Sequence, residues 1–192
     1  KESSLDLLDS AELIDPREPE HADTIERYSQ RLAALRARKG MTLPMARTLV
    51  RQSNYYGMMM VEAGDVDGLV GGFKRTYPES VRPALQILGM APGAKVAVGM
   101  YMMILQNSVV FFGDTVFNIA PDAEQLADIA VQMADAVDGF GVKPRVAMIS
   151  YSNYGAVRHA NVDRVTAALA RARARRPELE IDGEMQPEIA LD

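Results

Sequence analysis

Arg145-Val146-Ala147-Met148-Ile149-Ser150 is a short apolar run, and Tyr151-Ser152-Asn153-Tyr154-Gly155 follows it directly. Val, Ile and Met closed by Ser, Asn and Gly read as a buried strand that ends in a loop. Downstream, Val162 to Arg175 has helical spacing, and Leu179 to Asp182 reads as another short strand. Upstream, Pro121-Asp122 opens a helix: Asp122 as N-cap and Gln125 three residues on form a capping box, and Leu126, Ile129, Met133 and Val137 make its inner stripe. Gly139 to Gly141 ends it. Val96 to Leu105 and Val109 to Phe117 complete the series as strands, the first of them buried, with Gln106-Asn107-Ser108 as a hairpin turn between them. Strand, helix, strand, helix, strand predicts βαβ units on a mainly parallel sheet, so the fold class is α/β.

The N-terminal half is helical. Ile25, Tyr28, Leu32 and Leu35 recur at three- and four-residue steps between Ala22 and Lys39, and Arg36, Arg38 and Lys39 crowd the last turn before Gly40. A second helix runs from Thr42 or Leu43 to about Gln52, and a third covers Tyr55 to Glu62 before Gly64 breaks it. Gly68-Leu69-Val70-Gly71-Gly72 reads as a short buried strand, Glu12 to Asp15 as a strand end, and Pro78 to Gly89 as a further helix.

The chain has 192 residues, 48% of them apolar and 24% charged, enough for one or two compact domains. A net charge of -5 without a basic stripe argues against nucleic acid or anionic lipid as partner. The absence of cysteine removes disulfides and thiolate chemistry and points to the cytoplasm. Val96 to Leu105, the longest apolar run, is too short for a bilayer, which needs about 20 residues. The first residue is Lys1, not an initiator methionine, and no apolar leader follows it, so an excised internal piece is expected.

Asp65-Val66-Asp67-Gly68 resembles the start of a calcium loop, but its glycine comes too early and Thr76 stands where a bidentate Glu is needed. It reads as a helix-to-strand turn. His21 and His159 stand in no metal-ligand spacing and read as solvated loop residues. Met58, Met59, Met60, Met100, Met102 and Met103 read as core filler. No metal site is expected. The Ser150 to Gly155 stretch follows a strand end, where open α/β sheets bind ligands, and it offers hydroxyls, an amide and accessible backbone. It is either a ligand loop or a plain surface loop. Arg82 in Ser80-Val81-Arg82-Pro83 reads as lying in the first turn of a helix, where guanidinium and helix dipole face one oxyanion together, or else it makes a surface ion pair.

Five blocks carry a resemblance to the phosphotransacetylase family: Met60 to Val70, Ser80 to Gly89, Phe111-Phe112-Gly113-Asp114-Thr115-Val116-Phe117-Asn118, Pro144 to Ser152, and Ile181-Asp182-Gly183-Glu184-Met185-Gln186. They stand in family order from about Ile14 onward. The resemblance implies a two-subdomain α/β fold with acetyl-CoA in a cleft and acetyl transfer between CoA and phosphate, without a metal or a covalent enzyme intermediate. It places residues 1–92 in one subdomain, whose C-terminal part is missing, and residues 93–192 in the second. It implies that Arg82 holds the phosphate or acyl-phosphate end, and that Thr76, Ser150, Ser152, Asn153 and Gly155 line the same site.

Thr76-Tyr77-Pro78-Glu79 and Ser152-Asn153-Tyr154-Gly155 depart from the pattern of active transferases. With Asn54-Tyr55-Tyr56-Gly57 and Asp182 to Gln186 they resemble the domain appended to bacterial NADP-dependent malic enzymes. That likeness implies a regulatory module with acetyl-CoA as allosteric effector, and with NADP and a divalent metal confined to a malic-enzyme half outside this chain. The family's serine-arginine-glycine segment belongs beyond Asp192, so no catalytic residue is expected here. A homodimer through this domain, within a larger homo-oligomer, is implied as well. The alternatives are a fragment of an active phosphate acetyltransferase and a scaffold for oligomerisation alone.

Overall fold

The computed structural model describes residues 11–191. Contacts divide the chain after Gly89 into two compact units.

The first unit is helical: α1 (Ala22–Leu35), α2 (Leu43–Val50), α3 (Ser53–Ala63) and α4 (Tyr77–Ile87), with a 3-10 turn at Ala37–Lys39. Thr42 caps α2 by accepting the Met45 N–H, and Pro44 sits in its first turn, where a missing donor costs nothing. Gly64 ends α3 in the left-handed conformation at φ 76°, which a side chain would strain. Ile25, Tyr28 and Leu32 of α1 meet Ala46 and Val50 of α2, Tyr55, Tyr56 and Met59 of α3, and Ile87 of α4 in one core. Burial of these rings and branched chains, at about 25 cal/mol per Å² of apolar surface, is what holds four short helices together.

The second unit carries β1 (Tyr101–Ile104), β2 (Val109–Phe112), α5 (Ala123–Gly139), β3 (Arg145–Ile149), α6 (Ala160–Arg175), β4 (Glu180–Met185) and α7 (Pro187–Leu191). The expected α/β class holds, with helices flanking small sheets. β3 and β4 are parallel neighbours joined across α6, whereas β1 and β2 form a separate antiparallel ribbon, so among the described residues one sheet is parallel and one antiparallel. Ala127, Ala130 and Ala134 of α5 face Ala168, Leu169 and Ala172 of α6, and small side chains let the two helices approach closely. Met148, Leu179 and Ile181 of the sheet complete that core. Arg175 bonds Asp128 at 2.7 Å and Arg176 bonds Asp135 at 2.6 Å along the helix pair, each exposed pair adding at most about 1 kcal/mol.

Several expectations are corrected. Glu12 to Asp15 and Gly68 to Gly72 are irregular, and Val70 is fully exposed, because neither segment finds a strand to pair with. The run Val96 to Leu105 pairs only over Tyr101–Ile104; Val96 is buried against Ile129 and Met133, but Ile104 is 77% exposed. Met102 and Met103 are exposed on the same ribbon and are not core filler. An isolated two-stranded ribbon has two faces and too few partners to bury both. His21 is half-buried beside Tyr56 and is not a solvated loop residue. Among the described residues no helix is long and apolar enough to cross a membrane.

Candidate functional site

The expected site residues lie in two groups, one in each unit. In the first unit, Thr76 precedes α4, and its N–H and hydroxyl both donate to Glu79 Oε2, at 2.8 and 2.7 Å. Those bonds, the backbone one foremost, outweigh burial and hold the Glu79 carboxyl below its usual range, with the charges of Arg75 and Arg82 as lesser contributions. The Thr76 hydroxyl therefore fixes the start of α4. Arg82 sits in the second turn, not the first, since α4 begins at Tyr77. It is exposed and makes no hydrogen bond or ion pair with a described residue.

Tyr55 of α3 lies within electrostatic reach of Arg82. Burial raises the Tyr55 pKa, and the charges of Arg82 and Arg36 both oppose that rise. Arg36 follows α1, and its Nε is buried without a hydrogen-bond partner among the described residues. Two guanidinium charges thus act on one phenol, and that of Arg82 also acts on the Glu79 carboxylate. Arg36 reads in the sequence only as part of a basic helix end, and nothing in the spacing links it to Arg82.

The second group is the loop after β3. Ser150 N–H donates to the Met185 carbonyl at 2.9 Å, which fastens the loop's start to β4. Ser152 is 2% exposed; its hydroxyl donates to Glu184 Oε1 at 2.9 Å and accepts the Val157 N–H at 3.2 Å. Gly155 N–H donates to the same Glu184 oxygen at 2.7 Å, and the Thr166 hydroxyl of α6 donates to Oε2 at 3.1 Å. Asn153 and Gln186 exchange two bonds, Asn153 Nδ2 to Gln186 Oε1 at 2.9 Å and Gln186 N to Asn153 Oδ1 at 2.7 Å. Tyr154 and Gly155 both take positive φ, 47° and 82°. The Ser150 hydroxyl remains without a hydrogen-bond partner among the described residues. The Gly155 N–H has the largest influence on Glu184; with the Ser152 and Thr166 hydroxyls it outweighs burial and holds the carboxyl below its usual range. Glu184, Gln186 and Thr166 carry no role in the sequence reading, because a carboxylate at a strand end looks solvent-facing until its partners are known.

The Phe111 to Asn118 block is organised by Asp114. Its carboxylate accepts N–H bonds from Gly99 (2.8 Å), Val116, Phe117 and Asn118, and a further one from the Asn118 amide. Burial pushes this carboxyl up, and the donors outweigh it, so its pKa lies below the usual value. Asp65 is likewise engaged: it accepts from Tyr28 and, at 2.8 Å, from Arg27. Among the described residues no three His, Asp or Glu side chains gather as metal ligands would.

A family model described as phosphate acetyl/butaryl transferase matches residues 1–192. The chain is 40% identical over its whole length to the phosphate acetyltransferase of Synechocystis sp., of which it covers 27%, and 39% identical over 94% of its length to that of Corynebacterium glutamicum, of which it covers 53%. Among solved structures it is similar to the EutD phosphotransacetylase from Staphylococcus aureus, with a TM-score of 0.77 and 36% identity over 93% of the chain and 54% of that structure. A phosphotransacetylase from Streptococcus pyogenes gives a TM-score of 0.72 and 33% identity over 92% of the chain and 55% of that structure. The chain therefore spans a quarter to about half of these relatives.

These relatives overturn the malic-enzyme reading. At about 40% identity they are named phosphate acetyltransferase, which favours the alternative, and the oxidoreductase, NADP and divalent-metal expectations lose their support with it. The departures at Asn153 and Tyr154 have a local cause instead: Asn153 pairs with Gln186, and Tyr154 donates its N–H to the Glu184 carbonyl. From its first residue to its last, this chain belongs to the phosphate acetyl/butyryl transferase family.

Proposed function

We propose that the chain is part of a phosphate acetyltransferase that moves acetyl between CoA and inorganic phosphate. The observation that carries this reading is the match of the family model along all 192 residues, shared with relatives that bear that one name. An oxygen of hydrogen phosphate attacks the thioester carbonyl carbon, the new carbon–oxygen bond gives acetyl phosphate as the carbon–sulfur bond breaks, and the CoA thiolate leaves and takes up the proton that the phosphate gives up. Both substrates are anionic, and the tetrahedral intermediate carries charge that fixed donors must meet. Arg82, with Arg36 acting on the same phenol, supplies to a phosphate oxygen guanidinium groups that make no ion pair with a described residue. Thr76 fixes the helix that carries Arg82. Ser150 offers a free hydroxyl at the strand end, and Ser152, Asn153 and Gly155 shape the loop that presents it.

In this reading residues 1–92 are part of the first subdomain and residues 93–192 most of the second. The exposed Tyr101, Met103, Ile104 and Phe112 of the β1–β2 ribbon are the surface through which two copies pair.

The test is thiol release from acetyl-CoA by the full-length protein with and without inorganic phosphate. Phosphate-dependent release is expected, and Arg82→Ala is expected to lower kcat/KM by about ten- to a hundredfold, the loss of a charge-assisted hydrogen bond. Release that ignores phosphate overturns the reading.

A further inference from the structure

Glu184 is 2% exposed, and the groups that meet its carboxylate are neutral donors: the Ser152 and Thr166 hydroxyls and the Gly155 N–H. These donors outweigh the cost of burying the carboxylate, and an apolar side chain in the same space would leave them without that acceptor. The carboxylate therefore ties three separate points of the chain, in the loop after β3 and in α6, to β4.

The sheet explains how the side chain reaches the loop. Met148 pairs with Gly183 and Ile149 with Met185, so Glu184 is an extra residue in β4 with no partner on β3. A bulge of this kind breaks the alternation of faces, and Glu184 and Met185 are both buried in succession. The bulge requires Gly183, at φ 137°, where a Cβ would stand 2.6 Å from the Met148 carbonyl oxygen. It aims the carboxylate at the segment that leaves β3, where one oxygen collects both a hydroxyl and a backbone N–H of the loop.

We propose that Glu184 is the positioning residue of the Ser150–Gly155 loop, holding Ser152 and Gly155 so that the Ser150 hydroxyl faces the CoA ester or phosphate. This rests on the phosphate acetyltransferase reading. Glu184 touches no substrate; it acts through the loop, as an acceptor of three hydrogen bonds and not as a proton carrier. A glutamine fits that role, since its carbonyl can accept from Ser152 and Gly155 while its amide donates to the Thr166 hydroxyl, which accepts as readily as it donates.

The experiment measures hydrogen exchange and acetyl-CoA kinetics on the full-length protein. Glu184→Ala is expected to raise exchange in residues 150–158 while α5 keeps its protection, and to raise the KM for acetyl-CoA by about ten- to a hundredfold with a much smaller change in kcat. Glu184→Gln is expected to restore both close to the parent. If Glu184→Ala does not fold, Ser152→Ala, which deletes one donor to Oε1 and the acceptor for Val157, carries the same two measurements. Loop exchange at the parent level in the alanine variant overturns the proposal, and so does a glutamine variant as impaired as the alanine one. A parent without phosphate-dependent turnover discards the functional reading, and the exchange data still decide the role of Glu184.

Discussion

The Asn54 side-chain amide on α3 donates to the Glu79 carbonyl oxygen on α4 at 2.7 Å, in the place where a helix would use the N–H of residue 83. Residue 83 is proline, inside α4, and has no N–H to give. Asn54 thus repairs the helix that carries Arg82 and ties it to α3, and Tyr55 adds a bond to Gln86 at 2.7 Å one turn on.

Asn54→Ala is therefore expected to destabilise the protein by about 0.5–1.5 kcal/mol, the net worth of one hydrogen bond. In a Pro83→Ala background, where residue 83 donates again, the same change is expected to cost less. Chemical denaturation of the four proteins of this cycle checks it, and equal costs in both backgrounds would separate Asn54 from Pro83.

Glycine positions allow a paired comparison. Gly183→Ala places a Cβ 2.6 Å from the Met148 carbonyl oxygen at a positive φ, and a loss of about 1–3 kcal/mol is expected. Gly68→Ala meets nothing within 4 Å and is expected to stay within about 0.5 kcal/mol of the parent. Thermal midpoints of the two variants decide it, and a midpoint for Gly183→Ala matching the parent would remove the tight β3–β4 approach.

The helices were legible because their spacing and punctuation are local: the Asp122–Gln125 box forms as expected, and Gly64 stops α3. The β1–β2 hairpin was legible in its turn, where Leu105 N–H donates to the Ser108 carbonyl at 2.8 Å, but not in its burial. An apolar run shows that a surface must be covered and not which partner covers it, which is why Ile104 reads as core and stands exposed. Of the candidate site, the sequence showed the loop and Arg82. It did not show Glu184, whose inward aim depends on a register shift, nor Arg36, whose proximity to Tyr55 is tertiary.

Glu184 also sets a pH dependence. Its carboxyl is held below the ordinary glutamate value of 4.5, with the Gly155 N–H as the main cause. Between the folded and unfolded pKa values the unfolded chain binds more protons, so this group's contribution is present above about 4.5 and is lost as pH falls through the folded pKa. Stability below pH about 4.5 is expected to fall more steeply in the parent than in Glu184→Gln, since other depressed carboxyls such as Asp15 and Glu26 are common to both. Denaturation midpoints from pH 7 downward test this, and parallel curves would rule out a depressed Glu184.

Arg82 and Arg36 give the last prediction. Both charges act on Tyr55 and neither side chain makes an ion pair with a described residue, so a bound anion would meet two cations not neutralised by direct contact. A phosphate-bearing ligand is therefore expected to bind the full-length protein more weakly in Arg82→Ala and in Arg36→Ala, by about ten- to a hundredfold each. Arg82→Lys keeps the charge and loses the planar fork, so it is expected to recover only part of the affinity. Because Arg82 is exposed, raising ionic strength to about 0.15 M, where the screening length is about 8 Å, is expected to weaken binding in the parent more than in Arg82→Ala. Calorimetric titration with CoA at two salt concentrations measures all of these. Isotherms for Arg82→Ala that match the parent at both would take Arg82 out of the site, and a full loss in Arg36→Ala alone would make Arg36 the anion's main cation.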